Sequence, residues 1–151
     1  MSQSLSQIYI HTIFGTKGRN PWINEAIAPH LHAYMASIFK KLNNPAVIIN
    51  SMPDYIHILF RLSKSKAIFQ VMEQVKKSSS IWIKRQSFGV PYFYWQKGYG
   101  AFSIGRTHVD MITQYIANQK EHHRTMTYRE EVESFMKRYG MVDYDPEYYW
   151  D

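Results

Sequence analysis

Residues 52–60 read MPDYIHILF, with a tyrosine and a histidine two positions apart in a run of β-branched and aromatic residues. Side chains two apart on a strand point the same way. Tyr55 and His57 therefore share one face, and Ile56, Ile58 and Phe60 the other. Two histidines at this spacing would make half a metal site; here one position is a phenol. Residues 109–124, VDMITQYIANQKEHHR, set Tyr115 four residues before Gln119, one helical turn away. His122 and His123 follow on roughly the same face, near a helix end where imidazolium also suits the dipole. A tyrosine, a glutamine and two histidines in one stripe are unusual where leucines would serve a core. Standing alone, the helix stripe is better explained as an exposed polar face.

The elements that must position these residues follow from periodicity. Residues 7–16 alternate and are β-rich, a first strand. Asn24 can cap a helix to about residue 42, with Ile27, Leu31, Met35 and Ile38 on its buried face. Residues 46–51 and 55–62 form a hairpin around Met52-Pro53-Asp54. Ser65 opens a long helix to about residue 88. Residues 89–98 are an aromatic-rich loop and 99–104 a fourth strand. Thr107 and Asp110 resemble a capping box starting a helix through residue 118 and on toward His123; Thr127 and Glu130 form a second box, opening a helix that ends at Tyr139-Gly140. The order β-α-β-β-α-β-α with a C-terminal helix predicts one α+β domain over residues 1–151. Its sheet is a ferredoxin-like, split-βαβ sheet of four antiparallel strands with helices on one face. The other face would be free for a ligand or another subunit.

Composition narrows the class. Of the 151 residues 45% are apolar and 16% aromatic, enough for a packed core and against disorder. No apolar run approaches eighteen residues and no signal-peptide pattern opens the chain, so the expected location is cytoplasmic. Cysteine is absent, so any metal must be held by His, Gln, Asn or carboxylates. The net charge is +6, but the first 129 residues hold 16 basic against 5 acidic side chains, an excess of 11. A basic body followed by an acidic tail suits a polyanion such as nucleic acid, though a generic basic protein has the same balance. Lys76, Lys77, Lys84 and Arg85 on the long helix, and Lys17 and Arg19 after the first strand, are candidate phosphate contacts. Residues 97–104, KGYGAFSI, look like an RNA-recognition strand, but stacking needs aromatics two apart and Tyr99 is followed at that distance by Ala101.

Several segments together carry a more specific likeness: YIHTIFGTKGR in the first strand, SMPDYIHILF in the hairpin, WQKGYGAFSIG before and in the fourth strand, YIANQKEHH in the following helix, and YYW near the end. In this order they resemble the single-tyrosine HUH transposases of the insertion-sequence two-hundred and six-hundred-and-five type, including the REP-associated tyrosine proteins. The resemblance covers nearly the whole chain. It implies nicking and rejoining of single-stranded DNA near hairpins through a 5′-phosphotyrosine. Tyr115 would be the nucleophile, and His57 with Gln119 would hold Mg²⁺ or Mn²⁺. It also implies a homodimer in which the helix of one subunit completes the site of the other. The family strand reads Asp-His-hydrophobe-His, so its first histidine falls on Tyr55, a changed ligand position. A neutral phenol is a poor ligand for Mg²⁺, so weak metal binding is expected. His11 on the first strand and Asp54 at the turn are the substitutes within reach; alternation turns Asp54 away from His57. The alternative is a catalytically impaired relative that still binds DNA.

Overall fold

Four β-rich segments pair into one antiparallel sheet of order β2-β3-β1-β4: β1 (Ile8–Gly15), β2 (Ala46–Met52), β3 (Tyr55–Leu62) and β4 (Gly100–Ile104). This is the ferredoxin-like order that the sequence predicts. The structure, a computed structural model, describes residues 2–123, 125–141 and 143–150, and of these the side chains of all but His122, His123 and Tyr148. Among the described residues no helix is long and apolar enough to cross a membrane.

Two helices cover one face. In α1 (Ala28–Lys41), Leu31, Met35, Ile38 and Phe39 recur at helical spacing and are buried. Asn24 caps the entering turn as expected, its Oδ1 accepting from the backbone N–H of Ala26 and Ile27, each at 3.0 Å. The long helix α2 (Ile68–Arg85) is shorter at both ends than its periodicity suggests. It starts where Ala67 N–H donates to Gln70 Oε1 at 2.9 Å and stops where Gln86 turns extended. Both helices pack on Ile10, Phe14, Ile56, Ile58 and Phe60.

The second face is not free, contrary to the sequence expectation. It is covered by α3 (Val109–Ala117), the short α4 (Gln119–His123) and α5 (Tyr128–Arg138). The physical reason lies in β3, where residues 55 to 60 are all buried, three on each face. A central strand lined on both sides needs a cover on both sides. The expected helix from Thr107 is also divided. Arg106–His108 forms a 3₁₀ turn, where Thr107 Oγ1 lies 3.3 Å from His108 Nδ1 and caps no helix. Asn118 (φ −94°, ψ 28°) then separates α3 from α4. The second capping box holds: Thr127 N–H donates to Glu130 Oε1 at 3.1 Å, and Glu130 N–H to Thr127 Oγ1 at 3.2 Å.

Candidate active site

The covered second face carries a buried polar cluster. Strand β3 brings Tyr55 and His57 onto it, β1 brings His11, α3 brings Tyr115 and α4 brings Gln119. Although Asn118 breaks the helix between them, Tyr115 and Gln119 still meet, because both reach the same carboxylate, Glu131 of α5. Tyr115 OH donates to Glu131 Oε1 at 2.7 Å, and Tyr55 OH to Oε2 at 2.9 Å. Gln119 Nε2 lies 3.2 and 3.1 Å from the two carboxylate oxygens and 3.1 Å from the Tyr55 hydroxyl. His57 Nε2 is 2.7 Å from Glu131 Oε1. Tyr55, His57, Gln119 and Glu131 are fully buried; Tyr115 is half-buried.

The strand register explains the histidine pair. Across β1 and β3, His11 opposes Leu59 and Ile13 opposes His57, so the two imidazoles are diagonal neighbours on one face. His11 Nε2 lies 2.8 Å from His57 Nδ1, and the rings stack 5.1 Å apart. His11 thus sits behind His57 and touches the ring nitrogen that faces away from Glu131. Burial first, and the neighbouring His57 second, hold the His11 imidazole well below its ordinary range.

Electrostatics hold both phenols protonated. Burial first, then the negative charge and hydrogen bonding of Glu131, push Tyr55 and Tyr115 far above the ordinary phenol value. Burial alone would raise the Glu131 carboxyl. The His57 ring and the donors of Tyr115 and Gln119 outweigh it and bring it down to about 2, so the carboxylate stays ionised.

Docking of α5 closes the cluster. The Tyr128 ring stacks on Tyr55 at 4.6 Å, with an interplanar angle of 13°. Gly15, opposite Tyr55 in the β1–β3 register, leaves room for it: a Cβ there would come within 2.6 Å of Tyr128 Cε2 and 3.0 Å of the Asp54 carbonyl. Gln96 Oε1 accepts from both Gly15 N–H and Tyr128 OH. Phe135 packs its edge against His11 and Tyr115.

Sequence reasoning brought together Tyr55, His57, Tyr115 and Gln119, and it missed Glu131, which looked like part of the acidic C-terminal charge. The available signal was its register: Glu131 lies on the α5 stripe with Tyr128, Val132, Phe135 and Met136, all buried. The side chains of His122 and His123 lie outside the described residues. Asp54 contributes its carbonyl, which accepts from Thr16 N–H at 2.9 Å. Phe102 of β4 is buried under α5 against Phe135, so this strand offers no open stacking surface for RNA bases.

Of the proposed phosphate contacts, Lys76 is otherwise engaged. Its Nζ donates to the carbonyls of Gln96, Lys97 and Gly98 at 2.7, 2.9 and 3.3 Å, which uses all three ammonium protons on the loop before β4. Burial also pulls its pKa down to about 8. Lys17, Arg19, Lys77 and Arg85 are exposed. Lys84 lies 3.6 Å from the centre of the half-exposed Tyr94 ring, with Lys17 at 5.7 Å from the same ring.

Known proteins share this architecture. A candidate transposase from Deinococcus radiodurans R1 superposes with a TM-score of 0.60 at 22% identity, over 79% of this chain and 98% of that one. A REP-associated tyrosine transposase bound to a REP hairpin superposes with a TM-score of 0.58 at 13% identity, over 82% of this chain and 74% of that one. No curated protein matches the chain. The family model described as "Transposase IS200 like" matches residues 4–119, a span that holds Tyr55, His57, Tyr115 and Gln119 and ends before Glu131. That match covers most of the sequence, and the chain belongs to the IS200-like transposase family.

Proposed function

We propose that this protein cuts and rejoins single-stranded DNA through Tyr115, with His57 and Gln119 holding a divalent metal. The observation that supports this most directly is the meeting of Tyr115, His57 and Gln119 in one buried cluster, on a chain of the IS200-like family. The donor set fits such a cation. His57 Nε2, at 2.7 Å from the Glu131 carboxylate, and Gln119 Oε1, without a hydrogen-bond partner, are both buried, and imidazole nitrogen and amide oxygen both suit Mg²⁺ or Mn²⁺. When bound, the metal would neutralise charge on the scissile phosphate.

The chain's own residues account for the rest. Tyr115 gives its proton to solvent, and its oxygen attacks phosphorus opposite the leaving 3′ oxygen. A bond forms from Tyr115 to the 5′ phosphate, the bond from phosphorus to the 3′ oxygen breaks, and that oxygen takes up a proton. The phosphotyrosine keeps the bond energy for rejoining. In the observed state the nucleophile is guarded: burial and Glu131 keep it protonated, and α5 stands over it. Lys77, Lys84 and Arg85 lie on α2, on the opposite helix layer, so with Lys17 and Arg19 they suit flanking DNA, not the reacting phosphate. A hairpin is the natural probe, because a structural relative is bound to one. Within one chain Tyr115 already stands beside its own β3. That arrangement supports a site built in cis, whereas the resemblance alone implies one completed by a partner subunit.

The second reading, a DNA-binding relative with impaired catalysis, is favoured by Tyr55 at a ligand position. Incubation with hairpin-bearing single-stranded DNA and Mn²⁺, followed by a denaturing gel, separates the two. The expected result is a covalent protein–DNA adduct that is lost in Tyr115→Phe and kept in Tyr55→Phe. An adduct surviving Tyr115→Phe removes this nucleophile; hairpin binding with no adduct in any form favours the second reading.

A further inference from the structure

Tyr55 stands where the resemblance puts a metal-binding histidine, yet its hydroxyl is turned to a different task. It donates to Glu131 Oε2, while Glu131 Oε1 lies 2.7 Å from His57 Nε2. That contact is at ion-pair distance but is not aligned as an N–H···O hydrogen bond. Gln119 Oε1 is buried without a hydrogen-bond partner, although its amide nitrogen lies 3.1–3.2 Å from both carboxylate oxygens. Rotating the amide by half a turn exchanges its oxygen and nitrogen, an assignment that rests on the hydrogen-bond network. Buried polar atoms without partners are costly and call for a specific explanation.

A shared cation explains both. Adjacent ligands on an octahedral ion with bonds of ~2.1 Å are ~3.0 Å apart. Here the Glu131 carboxylate lies 2.7 Å from the His57 imidazole and 3.1–3.2 Å from the amide nitrogen of Gln119. We propose that Glu131 supplies the ligand that residue 55 no longer provides, so that His57, Gln119 and Glu131 form the divalent-cation site of this chain. Tyr55 becomes a positioning residue that orients the carboxylate through Oε2. His11 completes the arrangement from behind: by occupying Nδ1 of His57 it leaves Nε2 as the nitrogen facing the other two donors. Among the described residues no three His, Cys, Asp or Glu side chains form a metal cluster; the set proposed here has two such groups and a glutamine.

The inference rests on the strand-transfer reading for the class of metal, and its test needs no DNA. Mn²⁺ is titrated into the free protein and unbound Mn²⁺ is read from its EPR signal. One Mn²⁺ should bind per chain. Glu131→Gln, which keeps the shape of the side chain, should weaken uptake by ~10-fold or more, and His57→Ala should do the same. Tyr55→Phe should weaken it severalfold, and the double variant Tyr55→His/Glu131→Gln should recover it. Melting of the metal-free variants reports the fold. If Glu131→Gln does not fold, Glu131→Asp, which keeps the charge but shortens its reach, should also bind more weakly. Unchanged affinity in the folded Glu131 variant, or no uptake by the natural protein, overturns the proposal. Mn²⁺ uptake that depends on Glu131, without any DNA adduct, would remove the strand-transfer reading and leave the ligand set standing. An adduct together with Glu131-independent uptake would do the reverse.

Discussion

The two faces of strand β3 are built from one backbone and serve opposite ends. One face presents Ile56, Ile58 and Phe60 to α1 and α2 in a dry packed layer. The other presents Tyr55 and His57 to α3, α4 and α5, where a carboxylate, a phenol, an amide and two imidazoles are fully buried and the Tyr115 phenol is half-buried. The period of two separates them completely. Burying apolar surface stabilises the first face directly. Burying Glu131 carries a desolvation cost of several kcal/mol that its partners only offset. Apolar packing offsets that cost: α1 and α2 supply it on the first face, and Ile13, Leu59, Phe102, Ile112, Ile116 and Phe135 add to it around the polar cluster.

The comparison breaks most visibly on the dry face. Phe60 is fully buried and packs on Phe39, ring centres 5.0 Å apart. Phe60→Ala should lower stability by about 3–5 kcal/mol. At about 2–4 °C per kcal/mol for a domain of this size, the melting temperature should drop by roughly 10 °C. A loss under about 1 kcal/mol would show that the dry layer is not the stabilising one.

A smaller effect is expected at the seam between α5 and the sheet. Gly15→Ala would push a methyl group into Tyr128 and the Asp54 carbonyl. Overpacking of this kind costs about 1–3 kcal/mol. It should be local: amide hydrogen exchange should quicken in α5 while α1 and α2 stay protected. Equal quickening in α1 would mean that the two faces unfold as one unit.

How much of this could be read from the sequence differs between the faces in the same way. Strand β3 matches its predicted bounds, residues 55–62, because local alternation and a Pro-Asp turn define it. The apolar stripes of α1 and α2 were likewise legible, since 3.6-residue periodicity is local. The chemical face depends on contacts 46 to 76 residues apart, His11 with His57 and Tyr55 with Glu131, and no local pattern fixes them. Tyr115 and Gln119 were found through their spacing and resemblance. Glu131 was not, because neighbouring Glu130 and Glu133 made it look like surface charge, while a tertiary register placed it inside. Lys76 shows the same gap from the other side: it stands on a basic helix, yet it binds three carbonyls of a loop twenty residues away.

The smallest effect sharpens the comparison with acid. His32 of α1 sits at the rim of the dry face, its Nε2 2.7 Å from Ser51 Oγ, and burial pulls its pKa from 6.5 down to about 4. In the unfolded chain this imidazole takes up a proton below about 6.5; in the folded one it resists until about 4. The unfolded state therefore binds more protons in that window, and stability falls as pH drops through it. His32 is partly exposed, so solvent screening reduces the effect to about 1 kcal/mol. His11 on the other face is also held neutral and adds its own slope, so the total acid response does not separate the faces. The difference between the natural protein and His32→Gln does. Denaturant melts at pH 7 and pH 5, where exposed carboxylates are still largely ionised, should show a smaller loss in the variant by about that amount. Equal losses would show that His32 contributes nothing to the acid sensitivity of this window.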